Sequence, residues 1–288
     1  MGDITRVGVI GAGLMGSGIA EVTARAGLDV VVVEANAAAA EAGRSRIEKS
    51  LGKGVDKGKL SAEERDAALA RLTFSTELDA CADRQLVIEA VAENEAVKLD
   101  VFGRLDKIVA PDAILASNTS SLPITRLAMA TERPERVVGL HFFNPVPVQK
   151  LVELIPSLLT DDDTAARAAA FASDVLGKTV VKAPDRAGFV VNALLIPYLL
   201  SAIRMVEAGH ATPEDIDNGM VLGCAHPMGP LRLADLVGLD TTKAVAESMY
   251  EEYKEPLYAP PPLLQRMVEA GLYGRKSGRG FYDYTRGE

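Results

Sequence analysis

Residues 6–20 read RVGVIGAGLMGSGIA, and this stretch decides the fold of the N-terminal part of the chain. The run from Arg6 to Ile10 predicts a buried strand, and the residues from Ser17 to Ala26 predict a helix. Three glycines lie between them in the pattern G-x-G-x-x-G. In this position the pattern predicts a strand, a tight turn and a helix that together bind a dinucleotide.

Each glycine has its own predicted role. Gly11 permits the tight turn, Gly13 lets the backbone approach a pyrophosphate, and Gly16 lets the helix pack closely on the strand. The N-terminus of the helix offers free N–H groups to phosphate. The alternative is a glycine-rich turn that binds no ligand. The predicted cofactor contacts are Gly11, Gly13, Leu14, Met15 and Gly16.

A second strand candidate, Asp29 to Val33, ends next to an acidic residue, Glu34. An acidic side chain at this position accepts hydrogen bonds from the hydroxyl groups of the adenosine ribose and repels a 2′-phosphate. A site for NAD rather than NADP is predicted by these features together: the strand, the glycine motif, the helix, the second strand and the acid at its end.

Two further strand candidates extend this pattern to a doubly wound parallel sheet. Leu86 to Val91 precedes Glu93 and Lys98, and Ala113 to Ser117 precedes the small polar residues Asn118 to Ser121. Because such sheets bind ligands at the carboxyl ends of their strands, we expect Glu93 and Lys98 beside the nicotinamide. Alternatively, Lys98 pairs with an acid of its own surface helix, and the small polar residues cap the next helix.

The segment from Gly139 to Ile155, GLHFFNPVPVQKLVELI, predicts a β-hairpin with its turn at Asn144 to Pro147. If the two strands pair around this turn, His141 and Glu153 lie opposite each other and point to the same face. A carboxylate next to an imidazole fixes its tautomer, as a general base requires. The alternative is a half-buried structural histidine.

The pattern changes after Pro184, where helices replace strands. The apolar helix predicted from Gly188 to Ala208 contains one polar exception, Asn192, and shorter helices follow. The sequence thus predicts an α/β fold with two domains. Residues 1–184 form a Rossmann-type doubly wound sheet that binds NAD, and residues 185–288 form a smaller all-helical domain for substrate binding and dimerisation.

Composition argues against several classes of protein. The 288 residues, 48% hydrophobic and 25% charged, suit a globular chain of two domains. A net charge of −9 argues against nucleic acid and anionic membranes as partners. Two cysteines, Cys81 and Cys224, indicate neither a disulfide framework nor a metal site. Without a recognisable signal peptide, the chain is expected in the reducing cytoplasm.

The densest basic cluster of this acidic chain lies within residues 36–72, which predict a helical hairpin. Lys49, Lys53, Lys57 and Lys59 flank Ser50 there. The cluster is a candidate anchor for an anionic substrate. Alternatively, it is the solvated surface of the hairpin.

Seven motifs resemble the short-chain L-3-hydroxyacyl-CoA dehydrogenases, and among them the bacterial 3-hydroxybutyryl-CoA dehydrogenases most. These motifs are GAGLMGSGIA (11–20), ASNTSSLPIT (116–125), GLHFFNPVPVQKLVELI (139–155), GFVVNALLIPYL (188–199), DIDNGMVLGCAHPMGPL (215–231), GLDTT (238–242) and GRKSGRGFYDY (274–284). The resemblance covers both domains. It implies an NAD-dependent enzyme that interconverts (S)-3-hydroxyacyl-CoA and 3-oxoacyl-CoA, with 3-hydroxybutyryl-CoA and acetoacetyl-CoA as the expected pair.

The resemblance also implies roles for individual residues. His141 would take the proton of the 3-hydroxyl group, and Glu153 would orient it. Ser120 would hydrogen-bond the substrate oxygen, and Asn192 would lie at the same site; otherwise Asn192 is a buried amide with local partners. The positions that match CoA contacts of the family are Ser50 and Lys57. The positions that match its cofactor contacts are Glu93, Lys98, Asn118, Asn144 and Lys276.

One departure from the family concerns Glu34, where many relatives have aspartate; both are acidic, so NAD is still expected. Two other functions stay open. The same fold and dyad could act on a free hydroxy or sugar acid, as relatives similar to lambda-crystallin do, or the chain could be a non-enzymatic NAD-binding scaffold. The expected partners are an acyl-CoA substrate and a second copy of the chain, bound as a homodimer through residues after 184.

Overall fold

Residues 4–285 are described by the computed structural model of this chain. The chain divides into two compact units, Met1–Asp185 and Arg186–Glu288. All eight named strands of the described residues belong to the first unit, and the second unit is built from helices. The division lies next to Pro184, where the sequence pattern changes from strands to helices.

An eight-stranded sheet forms the centre of the first unit. Its strands are β1 (Arg6–Ile10), β2 (Asp29–Val33), β3 (Leu72–Ser75), β4 (Leu86–Glu89), β5 (Ile114–Ser117), β6 (Val137–Phe142), β7 (Leu151–Pro156) and β8 (Thr179–Lys182). The order across the sheet is β3-β2-β1-β4-β5-β6-β7-β8. Only the pair of β6 and β7 is antiparallel. The sheet is therefore doubly wound, and β1 and β4 flank the switch point at which such sheets bind ligands.

The helices of the first unit are α1 (Leu14–Arg25), α2 (Ala37–Asp56), α3 (Ala62–Leu69), α4 (Glu95–Ile108), α5 (Ile124–Ala128) and α6 (Asp162–Ala170). Local sequence explains where several of them begin. The Asn36 side chain accepts a hydrogen bond from the Ala39 N–H at 2.9 Å and so caps α2. Ser61 and Glu64 form the capping box of α3, in which the Ser61 N–H donates to the Glu64 carboxylate at 2.7 Å.

The core of the first unit lies between the strands and α1. Val9 of β1, Ile19 of α1 and Ile88 of β4 are all fully buried in it. Strand β3 departs from expectation, because the sequence predicts helix up to residue 72. Only one of its four residues, Leu72, is buried, so no apolar run marks this short strand.

The second unit contains α7 (Val191–Glu207), α8 (Pro213–Cys224), α9 (Pro230–Val237), α10 (Leu239–Tyr253) and α11 (Pro262–Glu269). Leu199 and Ile203 of α7 are fully buried in its core. Asp235 of α9 accepts hydrogen bonds from the N–H groups of Phe281 and Tyr282, each at 3.0 Å, and so fixes the C-terminal segment to the helices. Across residues 4–285, we find no helix with both the length and the apolar character that crossing a membrane requires.

Candidate active site

His141 lies near the end of β6, and the sheet pairs it with Glu153 of β7. This register confirms the pairing that the hairpin predicts. His141 Nδ1 and Glu153 Oε2 are 2.7 Å apart, and the two residues are only 5% and 0% exposed. Because a carboxylate can only accept, Nδ1 carries the shared proton, and Nε2 is the ring nitrogen that can accept one. The pair is thus arranged as a general base and its orienting acid.

Ser120 contacts the other nitrogen of the imidazole. Its Oγ lies 3.0 Å from His141 Nε2. Ser120 belongs to the polar segment that follows β5, and Asn118 of this segment accepts a hydrogen bond from the Phe142 N–H at 2.8 Å. The structure therefore brings together three of the four predicted catalytic residues. A substrate oxygen placed between Ser120 Oγ and His141 Nε2 could accept one hydrogen bond and exchange a proton.

Glu93 holds the polar segment in place. Its Oε1 accepts hydrogen bonds from the Ser120 N–H and the Ser121 hydroxyl, both at 3.0 Å, and from the Thr119 hydroxyl. Its Oε2 lies 3.1 Å from Lys98 Nζ. Burial alone would raise the pKa of Glu93, but the Lys98 ammonium and the hydroxyls of Thr119 and Ser121 outweigh burial and lower that pKa. The backbone of Ser120 is therefore bound to an ionised carboxylate.

Lys98 of α4 is buried and links Glu93 to a second carboxylate, Glu89. Lys98 Nζ lies 2.7 Å from Glu89 Oε1, and both side chains are only 1% exposed. Glu89 also accepts a hydrogen bond from the Ser117 hydroxyl at 2.6 Å. Glu95, the acid of its own helix, instead pairs with Arg126 at 2.9 Å. The predicted contact of Lys98 with the cofactor stays a prediction.

Glu89 is not among the residues predicted from the sequence. This glutamate ends the strand LVIE, in which the other three residues are apolar and buried. An acid at the end of a buried strand is the signal that could have identified it. A buried carboxylate is retained in a sheet only when it is paired and hydrogen-bonded, as Glu89 is with Lys98 and Ser117.

The glycine-rich turn has the geometry that a dinucleotide requires. Gly11 has a φ of +91°, which favours glycine. A Cβ at Gly16 would lie 1.8 Å from the Gly11 carbonyl oxygen, so the helix can approach the turn only with glycine there. A Cβ at Gly13, in contrast, would meet no atom within 4 Å. The open space at Gly13, before the exposed Leu14 and the partly buried Met15 at the N-terminus of α1, fits a pyrophosphate.

Glu34 lies beside this turn. Its Oε1 accepts a hydrogen bond from the Ala12 N–H at 2.5 Å, and its Oε2 accepts one from the Ala35 N–H at 3.0 Å. The carboxylate is therefore held at the carboxyl end of β2, where sheets of this type bind the adenosine ribose. Asn144 is exposed in the turn between β6 and β7.

The two predicted CoA contacts lie on α2. Ser50 hydrogen-bonds to Glu21, a carboxylate of α1 that is 3% exposed. Burial raises the pKa of Glu21, although Ser50 and Arg25 partly offset the shift. Lys57 is exposed at the C-terminal end of α2. Their contact with CoA stays a prediction.

Two further predicted site residues belong to the second unit. Asn192 is the second residue of α7 and is partly exposed. Lys276 Nζ lies 2.5 Å from Oδ2 of Asp240, on α10. Their predicted roles toward substrate and cofactor stay predictions.

A doubly wound sheet with a glycine-rich turn at its switch point, together with a buried histidine–carboxylate pair, defines a dinucleotide-dependent oxidoreductase. Family comparison specifies the class. The family model for the 3-hydroxyacyl-CoA dehydrogenase NAD binding domain matches residues 6–186, and the model for the C-terminal domain of the same enzymes matches residues 188–284. The chain therefore belongs to the 3-hydroxyacyl-CoA dehydrogenase family, and it is an NAD-dependent dehydrogenase, as the resemblance of its motifs implies.

Individual relatives are similar to this chain over nearly its whole length. A 3-hydroxybutyryl-CoA dehydrogenase of Mycobacterium tuberculosis is 65% identical over 282 residues, which cover 98% of this chain and 99% of the relative. The crystal structure of M. tuberculosis FadB2 superposes with a TM-score of 0.98 at 64% identity and covers 99% of this chain and 100% of its own. The crystal structure of (S)-3-hydroxybutyryl-CoA dehydrogenase PaaH1 from Ralstonia eutropha superposes with a TM-score of 0.93 at 46% identity. It covers 99% of this chain and 100% of its own.

Proposed function

We propose that this chain interconverts (S)-3-hydroxybutyryl-CoA and acetoacetyl-CoA, with His141 as the general acid and base. The observation that carries the proposal is the contact of the two imidazole nitrogens with Glu153 at 2.7 Å and with Ser120 at 3.0 Å. The names of the M. tuberculosis and R. eutropha relatives support the choice of substrate.

In the oxidative direction, His141 Nε2 accepts the proton of the 3-hydroxyl group. NAD, when bound at the glycine-rich turn, would supply the acceptor for the hydride of C3. As the imidazole becomes positively charged, the buried carboxylate of Glu153 stabilises it and keeps Nδ1 protonated. Ser120 Oγ donates a hydrogen bond to the substrate oxygen and keeps it within reach of Nε2. In the reductive direction, His141 returns its proton to the same oxygen.

The other predicted contacts complete this proposal. The pyrophosphate binds at Gly13 and the N-terminus of α1, where the structure leaves space for it. Glu34 accepts hydrogen bonds from the adenosine ribose and repels a 2′-phosphate, so NAD is preferred over NADP. Ser50 and Lys57 contact the CoA portion, and Asn192 has the substrate-binding role that the resemblance implies for it.

The test measures NADH consumption with acetoacetyl-CoA, free acetoacetate and a longer 3-oxoacyl-CoA, each repeated with NADPH. We expect turnover of the CoA thioesters with NADH and much slower turnover with NADPH. Turnover of the free acid at the rate of the thioester would show that the CoA portion is not recognised. Absence of turnover with every thioester, while NADH still binds, would contradict the proposed substrate class.

We further propose that the chain forms a homodimer through its second unit. We also propose that the protein is cytoplasmic. Large apolar side chains of this unit are exposed, among them Leu194 at 75% and Leu222 at 82%. Exposed apolar surface of this kind is common where a second chain binds. A monomer mass from light scattering at micromolar protein concentration would contradict the dimer. Both cysteines are free, Cys81 buried and Cys224 exposed, which suits a reducing compartment.

A further inference from the structure

The polar segment, residues 118–121, carries Ser120 and lies between β5 and α5 without regular secondary structure. Side chains bind two backbone N–H groups of this segment. The Thr119 N–H donates to Ser117 Oγ at 3.2 Å, and the Ser120 N–H donates to Glu93 Oε1 at 3.0 Å. The position of Ser120 therefore depends on where these two side chains are held.

Both supporting side chains are held by Glu89. The Ser117 hydroxyl donates to Glu89 Oε2 at 2.6 Å. Lys98 Nζ lies 2.7 Å from Glu89 Oε1 and 3.1 Å from Glu93 Oε2, so it joins the two carboxylates. Glu89, Lys98 and Ser117 are all buried. The two supports of the polar segment thus converge on one carboxylate inside the sheet.

Stability alone does not account for a carboxylate at position 89. A buried ion pair contributes little net stability compared with apolar side chains of similar volume. The other three residues of the same strand are apolar and buried, and an apolar side chain could follow them. Such a side chain would offer no acceptor to the Ser117 hydroxyl and no counter-charge to Lys98. The carboxylate therefore serves the two side chains that it binds.

We propose that Glu89 is a positioning residue for the reaction and sets the place of Ser120. It acts through Ser117 and Lys98 and, being fully buried, does not touch the substrate. The contact that it maintains is the 3.0 Å between Ser120 Oγ and His141 Nε2. The inference rests on the proposed function, in which Ser120 donates a hydrogen bond to the substrate oxygen.

Replacing Glu89 by glutamine keeps the shape of the side chain and disturbs the supports. Glutamine has one acceptor oxygen and one NH2 group that only donates. Turned toward Lys98 and the Val91 N–H, the NH2 group meets donors where the carboxylate accepted. Turned toward Ser117, it meets the hydroxyl that donates to Glu89 Oε2. In either orientation, one of the two supports loses its acceptor.

The first test is a double-mutant cycle between Glu89 and Ser120. The kcat for reduction of acetoacetyl-CoA is measured at saturating NADH for wild type, Glu89→Gln, Ser120→Ala and the double variant. We expect Glu89→Gln to lower kcat by at least roughly 10-fold, since misplacing a reacting group by about 1 Å can cost roughly 10²-fold. With Ser120→Ala already present, Glu89→Gln should change kcat by less than about twofold, because no hydroxyl is left to position.

The cycle separates positioning from a general structural role. A Glu89 that only supports the fold would lower kcat by the same factor with and without Ser120, and such additivity would overturn the inference. A wild-type kcat in folded Glu89→Gln would also overturn it. Both results leave the proposed function intact, whereas absence of turnover by wild type would reject the proposed function itself.

Two further variants complete this test. Ser117→Ala removes one support and leaves the link through Lys98, so it should lower kcat by a smaller factor and have no effect when Ser120→Ala is present. An unchanged kcat in Ser117→Ala would contradict its support of the segment, and this variant decides if thermal unfolding shows that Glu89→Gln is not folded. The matched control is Glu132→Gln, the same chemical change at an exposed carboxylate before β6, which should keep the wild-type kcat.

A structural measurement tests the inference without turnover. Crystal structures of wild type and Glu89→Gln give the distance between Ser120 Oγ and His141 Nε2. We expect a hydrogen bond between these atoms in wild type and a separation beyond about 3.5 Å in the variant, too long for a hydrogen bond. A variant that keeps the wild-type distance would contradict the inference.

Discussion

Replacing Glu153 by glutamine tests the part of the mechanism that depends most on geometry. Glu153 is fully buried and lies 2.7 Å from His141 Nδ1, so its charge acts on the imidazole with little screening by solvent. Two unit charges about 4 Å apart attract each other by roughly 4 kcal/mol at an effective dielectric constant near 20. Glutamine keeps the shape and can form a neutral hydrogen bond worth about 1 kcal/mol. The net loss is about 3 kcal/mol when the imidazole becomes charged, or roughly a 10²-fold lower kcat.

The assay is steady-state reduction of acetoacetyl-CoA, with NADH affinity measured separately by fluorescence. We expect Glu153→Gln to lower kcat by this factor and to leave the dissociation constant of NADH unchanged, because β4, β5 and β6 separate Glu153 on β7 from β1, the strand that the glycine-rich turn follows. A kcat equal to that of wild type would refute the reasoning and reduce Glu153 to a packing role. A loss confined to NADH affinity would refute it equally, since the carboxylate would then hold the cofactor site.

Three further predictions concern the dyad, the turn and the polar segment. His141→Gln should abolish turnover and leave NADH binding nearly intact; loss of NADH affinity in titrations would assign the histidine to the cofactor site. Gly16→Ala should lower the melting temperature, because its Cβ would meet the Gly11 carbonyl oxygen at 1.8 Å. Gly13→Ala should keep the melting temperature and weaken NADH binding, because its Cβ would fill the open space there. The opposite pattern would contradict the roles assigned to the two glycines. The pKa of Glu93 is lowered from its ordinary value of 4.5, so its ionised form stabilises the fold above pH 4.5, and this contribution disappears as the pH falls through the folded value. Glu93→Gln should therefore unfold at a lower temperature than wild type at neutral pH, with a difference that shrinks in acid; a constant difference would argue against an ionised Glu93.

The sequence predicts the dyad because the information for it is local. A short connection, residues 143–150, joins the two strands of the hairpin, and their antiparallel register places His141 and Glu153 opposite each other on one face. The glycine-rich turn is predictable for the same reason, since its strand, turn and helix follow one another directly in the chain.

Other features depend on contacts that sequence patterns do not encode. The Lys98 pair with Glu89 joins a helix to the end of a strand nine residues earlier, and it is visible only once α4 is folded over β4. Helix α9 is hard to recognise in the sequence. It has only eight residues, begins at Pro230 and ends at Val237, directly before Gly238, which has a φ of +102°, so both of its ends resemble loop signals.

Labelled substrate shows directly whether the chain moves a hydride between C3 of a 3-hydroxyacyl-CoA and NAD. (S)-3-hydroxybutyryl-CoA carrying deuterium at C3 is oxidised in the presence of NAD, and the reduced cofactor is analysed by mass spectrometry. We expect NADH that contains the deuterium, and no comparable reaction with the (R) isomer. NADH without deuterium, or no oxidation of the (S) isomer by protein that binds NAD, would contradict this hydride transfer.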